Sequence, residues 1–305
     1  MVNRRHERLG IRYSKIFAVF AGVATVSSFL VLLAWQFFPT SSFRTTVLLV
    51  GNPMMVASWD GARKHVTVIR IPPTVSITGL NGVGEYSLES LWKLGDIDKN
   101  NRTLLSDSLG ETLAIAIPWY IGLTDGDIKK VFSVANAPNM LMGRHPTNMP
   151  LSVFLPLALA TQNFRTDAVD ELTISDALLM KQERPDGSSI SFLDPDTVDR
   201  MAGTQFEEET IRKESLRVAV KNTTPTPSLG RRMERRIARA GALVVEVGND
   251  EQTIEECRVF GSKKNLKSYT ATFLRQFYSC ELLEGESKRA DLDVRVGREF
   301  EKLFR

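Results

Sequence analysis

The chain has 305 residues, 43% of them hydrophobic and 25% charged, a balance that argues against global disorder and leaves room for two modest domains. Its formal charge of +3 is unevenly placed: Arg4, Arg5, Arg8, Arg12 and Lys15 against Glu7 give the first fifteen residues +4, so the remainder carries −1. A pI of 8.8 therefore describes a basic tail and gives no support to a nucleic-acid-binding body, and no nucleic acid is expected as a partner.

Residues 1–15 read as a basic cytoplasmic tail. Residues 16–38 contain no charged side chain, and as a helix they would rise about 35 Å, enough to cross a hydrocarbon core of about 30 Å. Trp35, Phe37 and Phe38 suit the far interface, and Pro39 ends the helix. The Trp-Gln-Phe-Phe-Pro end lacks the small-residue pattern of a cleavage site. The expectation is a single uncleaved plasma-membrane anchor with the N-terminus cytoplasmic and residues 40–305 outside, where the bilayer is the first partner.

Phe43 to Val50 reads as a buried strand closed by Gly51, Asn52 and Pro53. Met54 to Trp59 is a second apolar run. Asp60-Gly61 signals a two-residue hairpin loop, with Lys64 to Ile71 as the returning strand. That strand runs into Pro72 and Pro73, which donate no N–H, so pairing must weaken there. Thr78 to Gly84 is a glycine-rich stretch without phosphate-loop spacing and reads as a flexible loop. Tyr86 to Leu94 and Arg102 to Ala116 carry leucines at helical spacing, and Pro118 to Leu123 reads as a short strand. Asp125 and Asp127 suit either a hard cation or, more simply, a helix N-terminus. Residues 149–180 alternate between helical and strand character, and Arg184 to Gly187 reads as a turn. Phe206 to Ser215 is charged and is the best domain boundary, as a linker or a connecting helix.

Beyond it the pattern is β-α-β-β-α-β: strands at Leu216 to Val220, Ala242 to Val247, Cys257 to Phe260 and Ala290 to Gly297, with helices at Leu229 to Ala240 and Leu266 to Tyr278. Ser228 can cap the first of these helices. Arg231, Arg232, Arg235, Arg236 and Arg239 gather on it. They read as a basic face for anionic wall polymer or lipid headgroups, or as a solvated outer face that acids such as Glu234 partly neutralise. Cys257 and Cys280 form an even pair on the outward side and suggest a disulfide. Two cysteines and two scattered histidines, His65 and His145, argue against a zinc site.

The phrases Val47 to Gly51, Met54 to Ser58, Asp60-Gly61, Val66 to Pro72, Val218 to Thr223, Leu229-Gly230, Gly241 and Ala290 to Gly297 together resemble the LytR-CpsA-Psr envelope proteins, followed by a LytR C-terminal domain. The resemblance implies an α/β class: an N-terminal transmembrane helix, an LCP-like α/β sandwich with a mixed sheet over 44–205, a linker at 206–215 and a small second domain over 216–305. Such transferases move glycopolymer phosphate from a polyprenyl pyrophosphate lipid to the cell wall. They use arginines on the pyrophosphate and acids on Mg2+ or Mn2+. Where the family has Arg-Asp after the strand proline, this chain has Pro73 and Thr74, and an Arg-Ser-Asp before the preceding strand is absent. Pro and Thr supply neither a bidentate clamp nor a metal carboxylate.

The expectation is a degenerate, non-catalytic homologue with no catalytic residue, metal or cofactor. It would act as an envelope scaffold or as a binder of wall glycopolymer, polyprenyl lipid or another envelope protein. Arg63, Arg70, Arg144, Arg231, Arg232 and Arg235 are the candidate ligand-binding residues. The competing expectation is an active transferase with a relocated set, built from Arg63, Arg70, Arg144, Asp125 and Asp127 with Mg2+ or Mn2+.

Overall fold

The structure is a computed structural model that describes residues 22, 25, 27, 43–97, 102–122, 131–161, 168–183, 187, 189–285 and 289–302. The expected anchor lies outside these residues apart from Gly22, Thr25 and Ser27, which are helical. Among the described residues no helix is long and apolar enough to cross a membrane.

Strands β1 (Thr45–Val50), β2 (Met54–Asp60) and β3 (His65–Ile71) form an antiparallel meander, with Val47 opposite Ala57 and Val56 opposite Ile69. Their near-continuous apolar character reflects burial on both faces. Leu48, Val50, Met54, Val56, Ile69 and Ile71 enter one core, while Val47, Leu49, Met55, Ala57, Val66 and Val68 enter the other, as the period of two requires. The β2–β3 loop is longer than the expected two residues. Asp60 stays in β2, its carboxylate accepts the N–H groups of Ala62 and Arg63 at 3.0 and 3.1 Å, and Lys64 takes φ 51°. An Asp side chain that caps its own following turn makes the wider loop self-sufficient.

Two further strands, β6 (Trp119–Gly122) and β7 (Val169–Thr173), add in parallel at the edges, giving the mixed order β6-β1-β2-β3-β7. One face packs on α1 (Leu88–Ile97) and α2 (Leu104–Leu113) through Leu88, Leu91, Leu105 and Leu109. The other packs on α4 (Leu151–Thr161), which follows the short α3 (Ala137–Leu141), through Phe154, Leu157 and Ala158.

A smaller sheet, β5-β4-β9-β8, gathers Ser76–Gly79 (β4), Gly84–Ser87 (β5), Met180–Glu183 (β8) and Ser189–Phe192 (β9). The glycine-rich stretch is therefore a hairpin. Asn81 and Gly82 sit at φ 60° and 68°, and Val83 N–H returns to Leu80 O at 3.3 Å. Two left-handed central residues define the hairpin turn that Asn-Gly favours. Val75 N–H turns back to Pro72 O, and β4 meets β9 through the pair Ser76 and Phe192. Pro72 and Pro73 thus end one strand and start another in a different sheet. The connections α5 (Pro195–Ala202), capped by Asp194 on Thr197 N–H, and α6 (Glu209–Glu214) lead onward.

The C-terminal unit runs β10 (Arg217–Asn222), α7 (Leu229–Arg239), β11 (Leu243–Asn249), β12 (Arg258–Gly261), α8 (Tyr269–Tyr278), β13 (Glu281–Glu284), β14 (Leu292–Val296) and α9 (Arg298–Glu301). Its sheet order is β11-β10-β14-β12-β13. The expected β-α-β-β-α-β order lacks β13, a four-residue strand that pairs in parallel with β12. Ser228 is left-handed (φ 66°) and makes no side-chain cap, whereas Ser268 caps α8 by accepting Ala271 N–H at 3.0 Å. Cys257 and Cys280 are bonded, joining the segments that lead into β12 and β13.

Candidate functional site

A concavity lies where the two units meet. The α2–β6 connection forms one wall. Gly110 of α2 lets the chain fold back, since a Cβ there would lie 2.8 Å from Ile115 O. Ala114 takes φ 56°, and Ile115 N–H returns to Gly110 O at 3.0 Å. This tight return aims Ile115, Ala116, Ile117 and Pro118 across a cleft of about 720 Å³ toward Phe277, Tyr278 and Ser279 at the end of α8 and Phe300 of α9. Arg44, Ser106, Asp107, Arg236, Gln276 and Glu299 are among the polar residues that also line it. Apolar residues outnumber polar ones in the lining, with two arginines, two acids and several hydroxyl and amide groups among them.

Each guanidinium at this cleft already has a carboxylate. Arg236 directs Nε and Nη2 onto Glu111 Oε2 at 3.2 and 2.9 Å and lies over the Phe300 ring at 5.6 Å. Arg44 donates through Nε to Ser58 Oγ at 3.2 Å and through Nη2 to Thr67 Oγ1 at 3.1 Å, with Asp60 at 3.6 Å from Nη1. Burial pulls the Arg44 pKa down, and Asp60 and Glu208 oppose the pull. Burial pushes the Asp107 carboxyl up, against Thr103 and Arg236. Glu208, nearly buried behind Arg44, is pushed up to about 7 by desolvation, although its carboxylate accepts Arg44 N–H at 2.7 Å.

Of the five arginines of α7, Arg231 and Arg232 lie on a solvated face, whereas Arg235, Arg236 and Arg239 do not. Arg236 and Arg239 are each 9% exposed. Arg235 holds Asp199 through Nε at 2.6 Å and Nη2 at 2.9 Å and also reaches the carbonyls of Glu111, Thr112 and Pro195. Arg239 pairs with the same Asp199 and with Gly203 O. Asp199 is desolvated, yet Arg235 and Arg239 together hold its pKa below the usual carboxylate value. This side of α7 is a seam between the two units.

The six candidate ligand-binding arginines fall on different elements. Arg63, in the β2–β3 loop, pairs with Glu209 at 3.0 Å. Arg70 of β3 forks onto Glu171 of β7. Arg144, after α3, donates to Asn139 Oδ1 at 3.0 Å. Arg232 is exposed, 3.6 Å from Glu111, and Arg231 is exposed with no ion pair among the described residues. Arg235 belongs to the seam. Among the described residues no group of three or more His, Cys, Asp or Glu could hold a metal ion, and Asp125 and Asp127 lie outside those residues.

Arg44, Asp107 and Glu208 were not singled out by the sequence pattern. Arg44 carried the one available signal, a lone cation opening a strand that is otherwise apolar.

No protein-family model matches the chain, and no curated protein matches it in sequence. Solved structures similar to it include Bacillus subtilis TagV, at 11% identity and TM-score 0.41, covering 53% of this chain and 95% of that one. The LytR-CPS2A-psr family protein YwtF (TagT) of B. subtilis with bound octaprenyl pyrophosphate lipid aligns at 12% identity and TM-score 0.37, over 52% of this chain and 88% of that one. A protein of Enterococcus faecalis described as a transcriptional regulator aligns at 12% identity and TM-score 0.41, covering 54% and 87%. The neighbours TagV, TagT and YwtF are LytR-CPS2A-psr proteins, and each match spans about half of this chain.

Proposed function

We propose that this chain is a membrane-anchored, non-catalytic binding protein of the cell envelope that holds an apolar lipid chain in the cleft between its two units. The observation that supports this is the state of the cations. The cleft offers an apolar slot of prenyl size, but Arg44 and Arg236 already face Asp60 and Glu111. A diphosphate would have to displace a buried carboxylate from its guanidinium, and leaving that carboxylate unpaired costs about 3–5 kcal/mol. An uncharged chain meets no such cost. The anchor at 16–38, the outward placement of the folded units and the LytR-like character of residues 216–305 belong to the same proposal.

The test uses the full chain in lipid nanodiscs with a photoactivatable polyprenyl monophosphate. Crosslinks are expected at residues 115–118 and 277–279, and Ala116→Trp, which places an indole in the slot, is expected to reduce them at least tenfold. Labelling confined to residues 16–38 would sink the lipid reading. Release of prenyl phosphate from a polyprenyl-pyrophosphate-linked sugar, with Mg2+ or Mn2+ present, would sink the non-catalytic one.

A further inference from the structure

Helix α4 has no charged face. From Pro146 to Phe164 the sequence carries no charged residue, and within Leu151–Thr161 the only polar side chains are Ser152 and Thr161. A surface helix of a globular protein ordinarily sets charged or polar residues opposite its packed stripe. In α4 the packed stripe is Phe154, Leu157 and Ala158, buried in one core with Val47, Leu49 and Met55. At about 100° per residue, Ser152, Leu155, Pro156, Leu159 and Ala160 fall on the opposite arc of about 140°. Leu159 is 60% exposed and Ala160 is exposed, while the other three are half-buried. Thr161 does not interrupt this arc, because its hydroxyl is turned onto Leu157 O at 2.9 Å and Phe132 O at 3.2 Å. Helix α3 packs against α4 and is followed by Met142, which is 67% exposed.

A single exposed leucine is ordinary, but a helix whose outer arc holds one serine and otherwise only apolar side chains is not. The helix has 11 residues and rises about 16 Å, too short to cross a hydrocarbon core of about 30 Å and long enough to lie along its boundary. Its place in the fold says what covers it. Val153, at the edge of the outer arc, lines the cleft together with Arg44 and Thr45. Phe43, the residue before them, is buried, and only residues 39–42 separate it from the anchor proposed at 16–38. The chain thus enters the folded units beside α4, and the membrane is the nearest large apolar surface. Arg144 precedes the uncharged stretch and Arg165 follows it. Long cationic side chains at the ends of an interfacial segment keep their charge among the headgroups.

We infer that the outer face of α4 rests in the lipid leaflet next to the folded units, with Leu155 and Leu159 below the headgroups, and that this contact turns the mouth of the cleft toward the bilayer. The inference rests on the proposed anchor and goes beyond it: the anchor keeps the folded units near the membrane, and α4 decides which side faces it. Acyl chains cover such an arc without any charge to desolvate. The tether makes the contact intramolecular, so a face of this size needs little affinity of its own.

The experiment uses the full chain, its disulfide intact, in vesicles of phosphatidylethanolamine and phosphatidylglycerol that contain doxyl-labelled lipid. A fluorescent probe is placed on one introduced thiol, at Leu155→Cys, Leu159→Cys or, as the control, Ile97→Cys. Ile97 is 82% exposed and ends α1, on the other layer of the sheet. Lipid quenching at Leu155 and Leu159 is expected to be at least fivefold that at Ile97. Adding Leu159→Glu is expected to cut the quenching at Leu155 at least threefold while the chain stays on the vesicles. Vesicle-bound chain with equal quenching at Leu159 and Ile97 would overturn the inference and leave the anchor standing. Probes at Leu159 that quench one another and escape the lipid quencher would assign the face to a second copy and overturn it as well. Chain that stays in solution would sink the anchor and this inference together.

Discussion

Glu208 sits at the meeting point of both units, 8% exposed, with Arg44 N–H on one carboxylate oxygen and the Tyr269 hydroxyl 3.5 Å from the other. Its pKa is raised from 4.5 to about 7, first by desolvation, with Asp60 adding and Arg44 and the Tyr269 hydrogen bond opposing. The folded chain therefore binds more protons than the unfolded chain between these values. Stability contributed by this group is fully present below about pH 4.5, falls as pH rises toward about 7, and is flat above. At roughly 1.4 kcal/mol per pKa unit, the fall is on the order of 3 kcal/mol. Urea unfolding at pH 5 and pH 8 is expected to show it, and Glu208→Gln is expected to flatten the profile. A variant with the same slope as the parent would assign the titration to another residue.

Among the elements, β12, β13 and α8 depend on a covalent link. The Cys257–Cys280 bond closes a loop of 23 residues of sequence separation, worth roughly 3 kcal/mol by restriction of the unfolded chain. The double variant Cys257→Ala, Cys280→Ala is expected to lose about that much in a denaturant titration. β1, β2 and β3 were legible from their apolar runs, and α7 and α8 from their period, because both patterns arise from local burial. β13 was not, since Glu281-Leu-Leu-Glu has too few residues to show a period and is held by its parallel neighbour β12. The Asn81-Gly82 hairpin was read as a flexible loop, because the glycines around it masked the turn signal. The role of the α7 arginines was not legible: Arg236 meets Glu111 at 125 positions' distance and Arg235 meets Asp199 at 36, and a charge on a helix does not reveal what packs against it.

At the scale of the whole molecule, those pairs decide whether the two units behave as one. Arg239 has a side chain only 7% exposed, and it shares Asp199 with Arg235. Removing the shared carboxylate strands two guanidinium groups, one of them buried, at a cost of about 3 kcal/mol, the lower end for a broken buried pair because Asp199 itself is 33% exposed. The parent is expected to melt in a single calorimetric transition. Asp199→Ala is expected to melt in two, with the seam opening first. A single transition at lower temperature in the variant would mean that the contacts left across the seam, Arg236 on Glu111 and the rings of Phe43, Tyr269 and Phe273 at 4.2 and 5.6 Å, suffice to join the halves.

Phe43 has a consequence of its own. It is buried against α8, and the next two residues, Arg44 and Thr45, already line the cleft. Only residues 39–42 separate Phe43 from the proposed anchor, and the five steps from Phe38 to Phe43 reach at most about 18 Å. The leash is thus shorter than the hydrocarbon core of about 30 Å is thick. With residues 16–38 in the bilayer, as proposed, the slot would be held close to the headgroups.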